Sequence, residues 1–282
     1  MINENDFSKY LKKRNLNSHK GTFGKCLCVV GSYGMAGAAI LSLKAALRCG
    51  VGLSKCLLPA EIYSIVSAAV PESTFSIYNN LNYLKKLDEE LNSASSVLIG
   101  CGCGKSELIA SAVKLCINKC TCPLVIDADG INVLSHHINW LEKHPNEVIL
   151  TPHSAEMARL LHSSVQAVQN NREEDSKNFA KKHNVTVILK GHHTIIAEKT
   201  GTISINPTGN PGMATGGSGD VLSGMIVSFL AQGLPINIAA KAAVFMHGKA
   251  GDIAATKKSQ HSLLPTDIIE ELPNLFIEYE KN

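Results

Sequence analysis

The chain has 282 residues, of which 45% are hydrophobic and 18% charged, and its formal net charge is only +3. This composition is typical of a folded globular protein and excludes a disordered chain, and the weak net charge gives no basis for nucleic-acid binding. The polar N-terminus, MINENDFSKYLKKRNLNSHKGTFGK, lacks the apolar core of a signal peptide, and no later run approaches the length of a membrane helix. We therefore expect a cytoplasmic protein that binds neither nucleic acid nor membranes.

Apolar segments of strand length alternate with helical patterns along most of the chain. In chain order, the predicted strands are KCLCVVG, GLSKCLL, STFSIY, SVLIG, PLVIDAD, EVILT and TVILKG. Between them, helical periodicity or helix-forming composition predicts helices at AGAAILSLKAALRCG, SELIASAVKLCINK and NNREEDSKNFAKKHN. This alternation predicts an α/β fold in which a mostly parallel central sheet has helices on both faces. Several strands are apolar throughout, as buried parallel strands are.

The pattern changes after the last of these strands. HTIIAEKTGTISINP predicts two short strands joined by the turn KTG, which form a hairpin at the edge of the sheet. Three more helices are predicted at GDVLSGMIVSFLAQG, INIAAKAAVFMHGKAGDIAATKK and PTDIIEELPNLFIEY. Since no linker, charge block or internal repeat interrupts the chain, we expect a single domain over residues 1–282.

Nine cysteines are present, and the sequence favours structural roles for most of them. Those in apolar runs are expected to be small buried hydrophobic residues: Cys26, Cys28, Cys49 and Cys56. The set Cys116, Cys120 and Cys122 contains a C-x-C, but no second pair of ligands follows at zinc-finger spacing, which argues against a metal site. In GCGCG, which contains Cys101 and Cys103, the glycines are the stronger signal.

The segments after the predicted strands are the places to seek a site, because open α/β sheets bind ligands outside the carboxyl ends of their strands. In chain order these segments are GSYGMAGA, GCGCG, DADGIN, TPHSAEM, KGHHT and TGGSGD. In the last, Gly216, Gly217 and Gly219 precede an apolar helix whose first turn contains Asp220. Uncovered amides at a helix N-terminus favour an anion such as phosphate, and a carboxylate beside them can accept a hydroxyl proton. The segment therefore indicates phosphoryl transfer to an alcohol, although Asp220 alone would also suit a helix N-terminal acid.

The other segments allow two interpretations each. His153 either hydrogen-bonds a polar ligand or caps the helix AEMARLL. Lys190 either meets a nucleotide phosphate or extends along the surface. Asp127 and Asp129 either contact Mg²⁺ indirectly, through water, or cap a turn. The chain has no Walker loop, and the glycine spacing of GSYGMAG does not match the dinucleotide fingerprint.

These motifs, in their order, resemble those of the NAD(P)H-hydrate dehydratases, which belong to the ribokinase-like superfamily. NPTGNPGMATGGSGDVLSG is the most specific of them, and KGTFGK, GSYGMAGAA, DADGIN, TPHSAEMARL and HGKAGD extend the match over nearly the whole chain. The resemblance implies a ribokinase-like three-layer fold and a repair reaction on hydrated NADH or NADPH. In that reaction a nucleotide phosphorylates the ring hydroxyl, and phosphate then leaves. The resemblance further implies ADP or ATP as co-substrate, Mg²⁺ as cofactor and a homo-oligomer, with a tetramer as the expected form.

The resemblance also assigns roles to individual residues. Asp220 is the implied catalytic base, and the amides of Gly217, Ser218 and Gly219 form the implied anion hole. The positions that match substrate contacts are Ala39, Gly102 and His153, together with Asp220. Those that match the nucleotide-binding segment are Lys190, Gly191, His192, His193 and Thr194, together with Gly219.

The chain departs from the family pattern at two places, and two other functions stay open. Family members commonly carry Pro in the first slot of the GCGCG loop and small residues at His192 and His193. Because free imidazole titrates near about pH 6.5, the two histidines predict a pH-dependent nucleotide affinity. The first alternative function is a ribokinase-like kinase of a small alcohol such as hydroxymethylpyrimidine or hydroxyethylthiazole. The second is a nucleotide sensor without turnover, against which the retained Asp220 argues.

Overall fold

Nine strands form one sheet in the computed structural model, which describes residues 1–11 and 13–281. Their bounds are β1 Lys25–Val29, β2 Leu53–Pro59, β3 Thr74–Tyr78, β4 Ser96–Ile99, β5 Leu124–Ile126, β6 Val148–Leu150, β7 Thr186–Leu189, β8 Ile195–Ala197 and β9 Ile203–Ile205. The order across the sheet is β3-β2-β1-β4-β5-β6-β7-β8-β9. All pairs from β3 to β7 are parallel, whereas β7, β8 and β9 pair antiparallel. The mostly parallel sheet with a hairpin edge is thus confirmed.

Eleven helices lie within the described part of the chain, apart from short 3-10 turns. They are α1 Ala36–Arg48, α2 Ala60–Ala69, α3 Tyr83–Leu91, α4 Glu107–Lys119, α5 Asp129–Leu134, α6 Ser154–Leu160, α7 Val165–Asn170, α8 Arg172–His183, α9 Ser218–Ala231, α10 Ile236–Lys258 and α11 Pro265–Glu280. The sequence predicted neither α2, α3, α5 nor α7. It also extended the strand PLVIDAD too far, because the chain leaves β5 after Ile126 and begins α5 at Asp129.

Both faces of the sheet are buried, as alternate residues of β1 illustrate. Cys26 and Cys28 belong to the core that contains residues of α1, α9, α10 and α11. Leu27 and Val29 belong to the core on the opposite face, which contains residues of α3 to α8. A strand covered on both sides has no polar face, which explains why β1 reads as an uninterrupted apolar run. The predicted three-layer arrangement is therefore confirmed.

The cysteines of the apolar runs are buried as expected. Cys26, Cys28 and Cys56 are fully buried and Cys49 nearly so. Among the residues that the structure describes, no helix combines the length and apolarity needed to cross a bilayer.

Candidate active site

The loops after β1 and β4 meet near the middle of the sheet edge. The chain goes from β1 to β2 on one side and continues to β4 on the other, and such a reversal opens a crevice at the carboxyl ends of the strands. There the Gly31 amide donates to the Cys101 carbonyl at 2.8 Å, and the Ser32 hydroxyl donates to the Gly102 carbonyl at 2.8 Å. A Cβ on Gly102 would lie only 2.8 Å from the Cβ of Ala38. The absence of a side chain at Gly102 therefore lets these loops approach each other.

The N-terminus of α9 offers hydrogen-bond donors to a ligand. Gly217 caps the helix with a φ of +99°, and a Cβ there would lie 2.5 Å from Leu41 Cδ1, so this position requires glycine. Within the described residues, the amides of Gly217 and Gly219 donate to no other group, whereas the Ser218 amide donates to the Thr215 carbonyl at 3.3 Å. Free amides and the helix dipole together create a positive potential at this end. This helix end is therefore suited to an anion.

Asp127 lies buried near this helix end, at 1% exposure. Its Oδ1 accepts from Lys190 Nζ at 2.7 Å and from the Ala128 amide at 2.8 Å, and its Oδ2 accepts from Ser223 Oγ at 2.7 Å. Burial alone raises the pKa of Asp127, but the Lys190 charge and the hydrogen bonds outweigh it and bring the pKa below its usual value. Burial lowers the pKa of Lys190, yet Asp127 and Glu156 raise it above its usual value. The buried pair is therefore charged at neutral pH.

Lys190 connects this pair to the start of α9. A Cβ on Gly219 would lie 3.3 Å from Lys190 Nζ and 3.9 Å from Asp127 Oδ2. The ammonium thus lies close to Gly219 at the start of α9, and the Lys190 side chain keeps 18% exposure. Because an ammonium group is an effective phosphate ligand, an anion at this helix end would meet both kinds of donor.

Asp220 has the acidity of a general base. Burial raises the pKa of its carboxyl and the charge of Asp127 adds to the effect, while a hydrogen bond from Cys101 and the charge of Lys190 oppose them, so that the pKa is about 6. Such a group is ionised at neutral pH yet more basic than an ordinary aspartate, as proton abstraction requires. A carboxyl group with a raised pKa and the free amides therefore occur within one helix turn.

Cys101 completes the cluster around the two carboxylates. Its Sγ lies 3.7 Å from Asp127 Oδ2, and the Cys101 sulfur lies within 4.8 Å of one carboxylate oxygen each from Asp127 and Asp220. Burial, followed by the negative charges of these neighbours, raises the pKa of Cys101 well above its usual value. The residue is thus a neutral thiol that donates a proton toward the carboxylates.

Sequence reasoning missed Cys101, Ser223 and Glu156 as members of the site. A signal for Ser223 was its polar side chain in the apolar helix VLSGMIVSFLA, one turn after Asp220. A signal for Glu156 was its place three residues after His153, which is the spacing of a capping box. Cys101 had no such signal, because a cysteine next to a strand reads as a buried apolar residue.

Asp127 and Asp129 are both committed to protein groups, which limits how they could serve a metal ion. Asp129 Oδ2 accepts from the Gly104 amide at 2.8 Å, so this carboxylate fixes the GCGCG loop. Between them, Ala128 has a φ of +48°, a strained conformation of the kind that accumulates at functional sites. Mg²⁺ prefers several oxygen ligands including water. The donor set therefore fits an ion held mainly by phosphates and water and contacted indirectly by the two carboxylates.

His153 is the N-cap of α6. Its Nδ1 accepts from the amides of Ala155 and Glu156 at 3.1 and 3.3 Å, and the Glu156 carboxylate accepts from the His153 amide at 2.8 Å. With Nδ1 acting as an acceptor, the neutral ring carries its proton on Nε2, which lies 3.4 Å from Glu156 Oε1. Because the side chain is 51% exposed, it also remains open to a ligand.

The remaining predicted substrate contact, Ala39, is fully buried in α1. A Cβ on Gly31 would lie 2.9 Å from its methyl group, so Ala39 packs directly beneath the loop after β1.

The KGHHT loop presents its two histidines to solvent. The rings of His192 and His193 stack with centroids 3.9 Å apart, and both residues are exposed. Arg172 donates to the His192 carbonyl at 2.5 Å, and Thr194 Oγ1 donates to the Gly191 carbonyl at 2.9 Å. The backbone of the loop is therefore held from within, while the imidazoles are free to meet a ligand.

Comparison with known proteins gives a consistent result. A sequence model described as NAD(P)H-hydrate dehydratase matches residues 26–274. The chain is 36% identical over 271 residues to the bifunctional NAD(P)H-hydrate repair enzyme of Moorella thermoacetica, a match that covers 93% of the chain and 51% of that enzyme. It is 38% identical to the ADP-dependent (S)-NAD(P)H-hydrate dehydratase of Neisseria meningitidis, over 88% of the chain and 82% of that enzyme. The chain thus spans about half the length of the bifunctional relatives.

Solved structures show the same fold. A crystal structure of the ADP/ATP-dependent NAD(P)H-hydrate dehydratase of Bacillus subtilis, co-crystallised with ATP and Mg²⁺, matches with a TM-score of 0.86 and 30% identity over 97% of both chains. A hydroxyethylthiazole kinase from Pyrococcus horikoshii matches with a TM-score of 0.60 but only 14% identity, a likeness of fold alone.

Proposed function

The chain belongs to the NAD(P)H-hydrate dehydratase family, and from that premise we propose that it converts the hydrated (S) form of NADH or NADPH back to the reduced dinucleotide while consuming an adenine nucleotide. One observation carries the proposal beyond family membership. Asp220, whose pKa is about 6, adjoins free helix amides and the Lys190 ammonium. A base and an anion site are what phosphoryl transfer to a hydroxyl needs.

The proposed reaction has two stages. First, Asp220 takes the proton of the ring hydroxyl, and the hydroxyl oxygen attacks the terminal phosphorus of the nucleotide. The bond between this phosphorus and the bridging oxygen breaks, so that AMP leaves, or ADP when ATP is used. Next, the lone pair of the ring nitrogen expels phosphate by breaking the carbon–oxygen bond. Loss of a proton from the neighbouring ring carbon then restores the double bond. Phosphate is a much better leaving group than hydroxide, which is why a nucleotide is consumed.

The proposed binding roles follow from the position of each group. The amides of Gly217 and Gly219, with Lys190, stabilise the charge that develops on the transferred phosphoryl group. The Ser218 amide contributes once its bond to Thr215 lengthens. Mg²⁺ would supply further charge neutralisation while bound to the nucleotide phosphates, with water-mediated contacts to the Asp127 and Asp129 region.

The crevice between the loops after β1 and β4 is the proposed place of the hydrated ring. Gly102 would contact it through the backbone, and the exposed Nε2 of His153 would donate to a polar group of the dinucleotide. Because Ala39 is buried, it would contact the substrate only if the loop that covers it moved.

The nucleotide is proposed to lie along Lys190, Gly191, His192, His193 and Thr194. Since both imidazoles are exposed, we expect the affinity for ADP to depend on pH, as the sequence predicts. Calorimetric titration of ADP between about pH 5.5 and pH 8 measures this, with the double variant His192→Asn and His193→Asn as control. If the wild-type protein and the double variant bind ADP with the same affinity at every pH, the histidines have no role in nucleotide binding.

The decisive experiment incubates the protein with hydrated NADH, Mg²⁺ and either ADP or ATP, and follows the near-ultraviolet absorbance of the reduced nicotinamide. We expect recovery with at least one nucleotide and none without. Accumulation of a phosphorylated small alcohol, offered as alternative substrate, would favour the kinase. Nucleotide binding without any turnover would favour the sensor. The match to the NAD(P)H-hydrate dehydratase sequence model and to the enzyme of Neisseria meningitidis supports the dehydratase over the kinase.

The setting of the enzyme is also proposed. The continuous sheet supports one catalytic domain over residues 1–282. We propose a cytoplasmic homo-oligomer, with a tetramer as the expected form, which sedimentation equilibrium would test.

A further inference from the structure

The motif HGKAGD, residues 247–252, has no part in the chemistry described above. It lies in α10, where residues three and four positions apart share a face. His247, Gly248, Gly251 and Asp252 form that face, which we call the α10 platform. Lys249 points elsewhere, because its ammonium pairs with Glu4 and Glu278.

The two glycines of the platform let the chain segment before α9 pack directly onto the helix. A Cβ on Gly248 would lie 2.2 Å from Thr208 Oγ1 and 2.7 Å from the Thr208 carbonyl carbon. A Cβ on Gly251 would lie 2.3 Å from Met213 Sδ. Thr208 Oγ1 also donates to the Phe245 carbonyl of α10 at 2.9 Å. Segment 208–213 is therefore seated on the platform.

Asp252 holds the beginning of this segment. Its Oδ2 accepts from the Gly209 amide at 2.9 Å and its Oδ1 accepts from Asn210 Nδ2 at 2.9 Å. Asn210 Oδ1 in turn accepts from the Gly212 amide at 3.0 Å, which starts the 3-10 turn Pro211–Met213. One carboxylate thus orients the turn that leads into Gly217.

His247 holds the other end. It is 9% exposed, and its Nε2 lies 3.4 Å from the hydroxyl of Ser218, the first residue of α9. Burial, as the largest effect, lowers the pKa of His247 to about 4, so the ring is neutral under ordinary conditions. A neutral imidazole can accept the Ser218 hydroxyl proton. The two polar residues of the platform therefore hold the two ends of segment 209–218.

We propose that the α10 platform positions the anion hole, with Asp252 and His247 as positioning residues that do not contact substrate. The free amides of Gly217 and Gly219 can point at a phosphoryl group only while the chain before them keeps its path. The inference rests on the proposed function for the identity of that group. It assigns a role to the motif HGKAGD that is distinct from those of Asp220 and Lys190.

The test compares Asp252→Ala, Asp252→Asn and His247→Ala with the matched control Lys249→Gln, which alters the same motif outside the platform. Displacing catalytic donors by about 1 Å reduces rates by about 10²-fold, so we expect that loss in kcat for Asp252→Ala and for His247→Ala. The affinity for ADP should change less than about threefold. Asp252→Asn keeps one acceptor oxygen, so its kcat should be about tenfold higher than that of Asp252→Ala. Lys249→Gln should retain wild-type kcat.

Amide hydrogen exchange gives a readout that does not depend on turnover. In Asp252→Ala, exchange across residues 209–217 should accelerate at least about tenfold while α9 and α10 stay protected. Unchanged exchange there, or unchanged kcat despite faster exchange, would overturn the inference. So would a drop in kcat that Lys249→Gln reproduces. An inactive wild-type enzyme would instead count against the proposed function, and the exchange result would still decide whether the platform orders the segment.

Discussion

Replacing the carboxylate of Asp220, the proposed catalytic base, should make the protein more stable while strongly reducing its turnover. In Asp220→Asn the side chain keeps its size but can no longer ionise. The folded protein holds Asp220 at a pKa of about 6, compared with an ordinary value of 3.8, chiefly because the group is buried and next because Asp127 is close. A raised pKa means that the fold disfavours the carboxylate, and the neutral amide escapes this penalty.

The magnitude and its pH dependence follow from linkage. Below the ordinary pKa of 3.8 the carboxyl is protonated in both the folded and unfolded states, so its charge contributes nothing to the free energy of unfolding. Above the folded-state pKa of about 6 it is ionised in both states, and the full penalty applies. The advantage of Asp220→Asn should therefore grow from about 1 kcal/mol at about pH 4.5 to about 3 kcal/mol at about pH 8.

Urea unfolding of both proteins across this pH range is the assay, because the difference cancels the titration of groups that they share. The control is Asp88→Asn, which removes a carboxylate that pairs with Lys119 at the surface and should change the free energy of unfolding by less than about 1 kcal/mol. Turnover of Asp220→Asn should fall at least about 10²-fold. A stability difference that does not vary with pH would refute the reasoning.

Three further results are expected. Cys101→Ala removes a donor that lowers the pKa of Asp220, so the acid limb of the pH profile of kcat/KM should move to higher pH. Nucleotide phosphates also titrate near about pH 6, but the substitution does not change their pKa. An unmoved limb would argue against the thiol contact. Lys190→Met leaves Asp127 buried without its partner and should lower the free energy of unfolding by about 3–5 kcal/mol in urea titrations, whereas a loss below about 1 kcal/mol would mean that water replaces the ammonium. Gly219→Ala places a methyl group 3.3 Å from Lys190 Nζ, and steady-state kinetics should show a lower kcat with nearly unchanged stability.

The sheet was predictable because its strands are short, apolar and separated by clear turn or helix signals. SVLIG and TVILKG correspond to β4 and β7, whose residues are all buried. The end of PLVIDAD was not predictable, because a positive φ at the non-glycine Ala128 depends on tertiary contacts. The amphipathic helix α3 was missed although Tyr83, Leu87 and Leu91 mark its buried face at intervals of four residues.

Part of the candidate site was also predictable from the sequence, and part was not. The sequence placed Asp220 and Lys190 in two of the segments expected to face a ligand, and the structure brings Lys190 Nζ close to Gly219, the neighbour of Asp220. The donors to Asp127 could not be predicted, because Ser223 is 96 residues away in sequence and meets it only in the folded chain. The basicity of Asp220 was equally hidden, because it arises from burial and from the charge of another carboxylate.

The buried pair of Lys190 and Asp127 explains how a base can persist beside an anion site. Without Asp127, the Lys190 ammonium would pair with the Asp220 carboxylate and lower the pKa of Asp220. Asp127 accepts from Lys190 at 2.7 Å and thereby supplies a partner that outcompetes Asp220. The negative charge of Asp127 also raises the pKa of Asp220, while the Lys190 charge opposes that effect. Asp127 therefore holds the ammonium close to Gly219 and leaves Asp220, the proposed base, free to take a proton.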